Sequence, residues 1–153
     1  MIFAAGGSLC LQISFFWEAF VTNSDAAISK GQLWTGRVLS TLAVLFLTMD
    51  TGFKLVAPAA MAAEATAQLG YPPHLLPVIG WIEAILLVIY LIPRTSVFGA
   101  LLWTGYLGGA IATHFRIGNP LFTHQLFPIY IATFLWLGLW LRDRRVRAIL
   151  PIA

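Results

Sequence analysis

The sequence predicts an all-α, polytopic membrane protein: a four-transmembrane-helix bundle with both termini in the cytoplasm (N-in/C-in) and an extra N-terminal apolar or amphipathic segment. Three observations predict it. Of the 153 residues, 59% are hydrophobic and only 10% are charged, too few charges to cover a soluble domain of this size. Four apolar segments of roughly the 17–25 residues that cross a hydrocarbon core use most of the chain. Lys and Arg then divide unevenly between the two ends of those segments.

The spans fall at about 33–55, 75–92, 96–115 and 122–141, within a membrane domain of residues 31–150 preceded by an extension of residues 1–30. The first is apolar except for Asp50 and Lys54 near its far end. The second is bracketed by Pro72, Pro73 and Pro77 before it and Pro93 after it, the places where proline starts a helix or follows its end. The third runs from Ser96 to Phe115. In the fourth, Pro128 either kinks the helix or marks where its regular part begins.

Orientation follows from the positive-inside bias. With the C-terminus inside, Lys30, Arg37, Arg94, Arg142, Arg144, Arg145 and Arg147 are cytoplasmic, leaving Lys54 and Arg116 on the other side. The net charge of +3 is therefore a topology signal rather than a nucleic-acid footprint. Trp34, Trp81, Trp136 and Trp140 lie toward span ends, where amphipathic rings favour the interface. The expected location is a bacterial-type cytoplasmic (inner) membrane, with the lipid bilayer as the first partner.

Residues Met1 to Val21 are apolar but carry Gln12 and Glu18 and lack the basic start of a signal peptide. Leu9, Ile13, Phe16 and Phe20 share one helical face, with Ser8, Gln12, Ser14 and Glu18 on the other half. That pattern favours an interfacial helix; a fifth span is the rival.

Helical stepping sorts the span faces. Gly36, Ser40, Ala43, Leu47, Asp50 and Lys54 form one stripe of the first span, expected to face protein, while Val38, Leu42, Leu45, Met49 and Phe53 face lipid. In the second span Leu76, Gly80, Glu83, Leu87 and Tyr90 face inward, and Trp81, Ile85, Val88 and Ile92 lie opposite. The third span carries Gly105, Gly108, Gly109 and Ala112, which with Gly80 are the expected helix-packing positions, because small residues let helix backbones approach.

Asp50, Lys54 and Glu83 are the sharpest functional candidates, since an ionisable group in hydrocarbon costs at least about 2.5–3.5 kcal/mol and is normally paired or functional. Glu83 lies roughly 12 Å along its span and Asp50 roughly 7 Å from the end of its own, at 1.5 Å per residue. Both belong to the outer half. Lys54 is one turn from Asp50 and can also reach Glu83. Two readings stay open: a structural ion cluster joining the first two helices, and an outward-opening pocket for a small molecule or protons.

His74, His114 and His124 share the outer side, but no HxxxH, HExxH or ExxH spacing is present, so no metal site is expected. Cys10 is the sole cysteine, which excludes an internal disulfide, a CxxC relay or an iron–sulfur cluster held by this chain alone.

Several blocks resemble the DoxX-like family of small membrane proteins: MDTGFKL at Met49 to Leu55, IGWIEAILLVIYLIPRT at Ile79 to Thr95, GALLWTGYLGGAIATHFRIGNP at Gly99 to Pro120, and LRDRRVR at Leu141 to Arg147. The resemblance covers roughly residues 34–150. It implies four transmembrane helices and association with membrane oxidoreductase assemblies, including a thiosulfate to quinone reductase and complexes guarding against oxidative stress. Its polar positions here are Asp50, Lys54, Glu83, Arg94, His114 and Arg116.

The expected function is a non-autonomous subunit of a membrane redox system, quinone-linked or tied to oxidative stress, working with a partner oxidoreductase subunit or as a homo-oligomer. The cofactor stays open, with a quinone or a small solute as the candidate occupant of a pocket near the outer surface. The alternatives are a small-solute or proton-coupled carrier and a scaffold without ligand. Against a carrier, four spans give little room for alternating access, and no inverted repeat is evident.

Overall fold

The computed structural model describes residues 28–150. They form α1 (Lys30–Val56), α2 (Ala59–Leu69), α3 (Leu75–Leu91), α4 (Ser96–Arg116), a π-helical turn (Leu121–Gln125), α5 (Phe127–Arg142) and α6 (Arg144–Ile149). The N-terminal segment expected to be interfacial lies outside the described residues.

Local chemistry sets the helix boundaries. Ser29 Oγ accepts from the Gln32 amide at 3.2 Å and Gln32 Oε1 accepts from the Ser29 amide at 3.0 Å, a reciprocal capping box that starts α1. Ile92, extended before Pro93, ends α3. Pro128 stands in the first turn of α5, where its missing N–H removes no hydrogen bond. It marks the start of the regular helix, and the π-helical turn precedes it.

α1, α4 and the stretch Leu121–Arg142 are long and apolar enough to cross a membrane. α3 is apolar but has 17 residues, about 25 Å at 1.5 Å per residue, the short end of the spanning range. The four long helices form a ring in the order α1, α3, α4, α5, each packed on its two neighbours. Arg37, Arg94 and the arginines of 142–147 gather at one end, called here the basic end. Lys54, Glu83, His114 and Arg116 belong to the other half.

Burial follows the stepping read from the sequence. In α1 Gly36, Ser40, Ala43 and Leu47 are buried, while Val38, Leu42, Leu45, Met49 and Phe53 are exposed. In α3 Leu76, Gly80, Glu83, Leu87 and Tyr90 are buried, and Trp81, Ile85, Val88 and Ile92 are exposed. Apolar side chains of this size left outside on both helices match a lipid environment rather than water.

Two glycines let α1 and α5 approach closely. A Cβ on Gly138 would lie 2.3 Å from Ser40 Oγ, and one on Gly36 would lie 2.8 Å from the Gly138 carbonyl oxygen. Neither site has room for a side chain. Gly80 also packs, with Leu55 and Lys54 at 3.0 and 3.1 Å from its Cβ position. Gly105, Gly108 and Gly109 differ: a Cβ there meets nothing within 4 Å, and Ala112 is exposed. No described helix seats on that stripe, because α4 turns Ala100, Trp103 and Leu107 to the core instead.

α2 is an element that span-reading leaves as a connection. Its Ala-rich sequence has high helix propensity, it begins after Pro58, and it ends at Gly70 in the left-handed conformation (φ 72°). Arg116 clasps this end, donating to the Leu69 carbonyl at 2.6 Å.

Candidate functional site

Three helices contribute to one polar cluster inside an otherwise apolar bundle. Glu83 on α3 is completely buried, whereas the side chains of Lys54 and Asp50 on α1 retain 17% and 33% of their exposure. The cluster is therefore sealed at the glutamate and opens to the surroundings through the lysine and aspartate.

Lys54 Nζ donates to Asp50 Oδ2 at 2.5 Å and to Glu83 Oε1. Tyr106 of α4 donates its hydroxyl to the same Glu83 oxygen. The other oxygen, Oε2, accepts from Thr51 Oγ1 at 3.2 Å. Both carboxylate oxygens of the buried acid are thus satisfied, as burial of a charged group in a low-dielectric interior demands. Two acids and one lysine leave the cluster one negative charge in excess when all are ionised.

Trp103 forms the cluster's backing on the basic-end side. Its fully buried ring meets Tyr106 edge-on with centroids 5.4 Å apart. Its indole nitrogen is the one buried side-chain polar atom lacking a hydrogen-bond partner among the described residues, an uncommon state for such a group. Leu47, Leu87, Trp103 and Leu107 are all buried and fill the bundle beside it.

The sequence candidates therefore divide. Asp50, Lys54 and Glu83 come together. Arg94 does not: it is exposed in the turn between α3 and α4, at the opposite end of the bundle. Arg116 instead holds the end of α2, with its guanidinium 5.9 Å from the Tyr71 ring centroid, and Tyr71 Oη is 2.9 Å from Thr113 Oγ1. His114 is 2.8 Å from Asn119 Nδ2 through Nδ1 and stands against His124, ring centroids 5.6 Å apart. These contacts fasten the far-end loops. Among the described residues no group of three His, Cys, Asp or Glu side chains is placed to hold a metal ion.

Tyr106 and Thr51 complete the cluster and were not among the candidates. Thr51 continues the buried α1 stripe four residues beyond Leu47, a spacing visible in the sequence. Tyr106 is i+3 from the buried Trp103, but a tyrosine in an apolar helix reads equally well as an interfacial ring, so its role emerges only from the packing of α4 on α3.

Residues 38–138 match the family model described as the DoxX-like family. The chain belongs to the DoxX-like family. That match extends over most of α1, all of α2, α3 and α4, and α5 as far as Gly138, so every residue of the polar cluster lies inside it. The α6 arginines lie outside. No curated protein and no solved structure matches the chain. Family membership and three apolar helices of spanning length make this DoxX-like chain an integral membrane protein.

Proposed function

We propose that this DoxX-like protein is a non-autonomous subunit of a membrane redox system, a four-span N-in/C-in bundle whose Glu83 cluster forms a polar pocket in the outer half. In this reading residues 31–150 are the membrane domain, α3 crosses the membrane as the second of four spans, and residues 1–30 are an extension to it. The observation that carries the reading is the asymmetry of the cluster. A fully buried acid shares one oxygen between a lysine and a tyrosine, and these two donors and a second acid are the members that reach the surroundings.

The donor chemistry suits a quinone head. Lys54 and Tyr106 supply an N–H and an O–H donor, Trp103 holds a buried indole N–H with no acceptor, and Glu83 accepts a proton. When bound, a quinone would supply a two-electron, two-proton acceptor, with electrons delivered by a partner oxidoreductase subunit. The chain's own residues bind and orient the head and hold a proton at the Glu83 carboxylate. Asp50, the most exposed member, is the partner a ligand displaces from Lys54.

A structural tie is the second reading, favoured by the mutual satisfaction of Lys54, Glu83, Tyr106 and Thr51. A carrier fits less well, because Leu47, Leu87, Trp103 and Leu135 plug the bundle on the basic side of the cluster. Isolation in mild detergent, with mass spectrometry of co-purifying proteins and extracted small molecules, tests the proposal. An oxidoreductase subunit and a quinone retained by wild type, the quinone lost on Glu83→Gln, is the expected result. Neither being retained would favour the tie.

A further inference from the structure

The outer surface between α4 and α5 carries a groove of about 480 Å³, within the range of roughly 300–1,000 Å³ typical of small-molecule sites. Small residues create it. Gly108 and Thr104 of α4 and Ala132 of α5 leave the two helices apart at this level, and Ile129, Trp136 and Trp140 form its walls. From Pro128 to Trp140 it follows twelve residues of α5, about 18 Å at 1.5 Å per residue. One leaflet of a hydrocarbon core of about 30 Å is no longer than that.

Both indoles are fixed rather than loosely exposed. Trp136 Nε1 donates to Thr104 Oγ1 at 2.8 Å across the groove, and Trp140 Nε1 donates to the Leu150 carbonyl at 3.0 Å. Leu150 also lines the groove. The groove thus runs to the basic end, where α6 lies beneath Trp140 with Arg147 stacked on its ring at 4.9 Å. Arg144 precedes Arg147 by three residues, which places both on one face of α6. The only acid of this arm, Asp143, pairs with Arg145 at 3.0 Å, and Arg144 is exposed.

From this juxtaposition we infer that the α4–α5 groove is a binding site for an anionic phospholipid, one acyl chain lying along Gly108, Ala132 and Trp136 and the phosphate meeting Arg144 and Arg147. The charge decides the occupant. An apolar trough that ends in an arginine face complements a lipid with a hydrocarbon chain and a negative head, whereas a second copy would bring its own arginines to the same place. The site is separate from the Glu83 cluster and stands whether or not the redox proposal does.

The test incubates the purified full chain with vesicles of phosphatidylglycerol and phosphatidylcholine in equal amounts, repurifies it, and quantifies bound lipid by mass spectrometry. Wild type is expected to retain phosphatidylglycerol in preference. Each basic residue near a membrane surface contributes about 1 kcal/mol toward anionic lipid, so Arg144→Gln should lower phosphatidylglycerol retention about fivefold and leave phosphatidylcholine unchanged. Arg147 also donates to the Trp140 and Leu141 carbonyls, so Arg144→Gln, which disturbs no such contact, is the deciding variant. Gly108→Leu, whose Cβ meets nothing within 4 Å and whose side chain starts from the groove lining, should reduce retention of both lipids. Equal retention of the two lipids by wild type, or no change on Arg144→Gln, would overturn the inference. So would a Gly108→Leu protein that loses a dimer while keeping its lipid, since the groove would then seat a second copy.

Discussion

Tyr106 donates its hydroxyl to the same oxygen of Glu83 that receives the Lys54 ammonium, so a single carboxylate oxygen ties α1, α3 and α4 together. Hydrogen bonds to charged groups contribute about 1.5–3 kcal/mol. Tyr106→Phe keeps the ring against Trp103 and removes only the hydroxyl. We expect it to lower stability by about that amount, measured as a fall in the thermal midpoint in detergent. An unchanged midpoint would mean that the hydroxyl does not hold Glu83.

Asp50 makes its one side-chain contact with Lys54 and is a third exposed. When Asp50 is neutralised, Lys54 keeps Glu83 as its counter-charge, and asparagine still offers it an oxygen. Asp50→Asn should therefore lower the thermal midpoint only slightly and preserve complementation of a deletion strain. Complete loss of complementation at normal abundance would move the functional centre from Glu83 to Asp50.

The glycines supply an internal contrast. Gly138→Ala forces a Cβ to 2.3 Å from Ser40 Oγ, and overpacking of this kind costs about 1–3 kcal/mol. Gly109→Ala meets nothing within 4 Å and replaces glycine with a better helix former, so it should be neutral or slightly stabilising. Equal midpoints for the two proteins would contradict the α1–α5 contact. A loss on Gly109→Ala would reveal a partner on the α4 stripe.

Seven basic residues on one side against two on the other lead us to expect both termini in the cytoplasm. Tag labelling in intact cells measures this. A C-terminal tag reached from outside would reverse the orientation, and an N-terminal tag so reached would indicate a fifth span.

The inward faces of α1 and α3 were legible because a helix with lipid on one side and protein on the other sorts residues by a strict period. The same period placed Glu83 inward and Lys54 within its reach. What it left out follows from the same physics. Tyr106 faces the cluster only because α4 packs Trp103 and Leu107 into the core, and in sequence α4 advertises its glycine stripe instead. Gly138, lone among large apolar residues, gave no spacing signal for its contact with Gly36. Arg94, grouped with the polar positions by family resemblance, belongs to a turn at the other end of the bundle.

Glu83→Gln is the substitution that separates a working site from a tie. Glutamine keeps an oxygen for Lys54 and Tyr106, its NH₂ can donate to a Thr51 hydroxyl that now accepts, and Lys54 retains Asp50 as counter-charge. The fold therefore survives the change, while the ability to take and release a proton at this position is lost. The measurement is membrane abundance and thermal stability of Glu83→Gln beside its complementation of a deletion strain under oxidative or sulfur-compound stress. Near-normal abundance with loss of complementation is the predicted result. Full complementation at equal abundance would contradict it, and loss of stability and complementation together, on the scale of about 3–5 kcal/mol for a broken buried pair, would show the cluster to be structural.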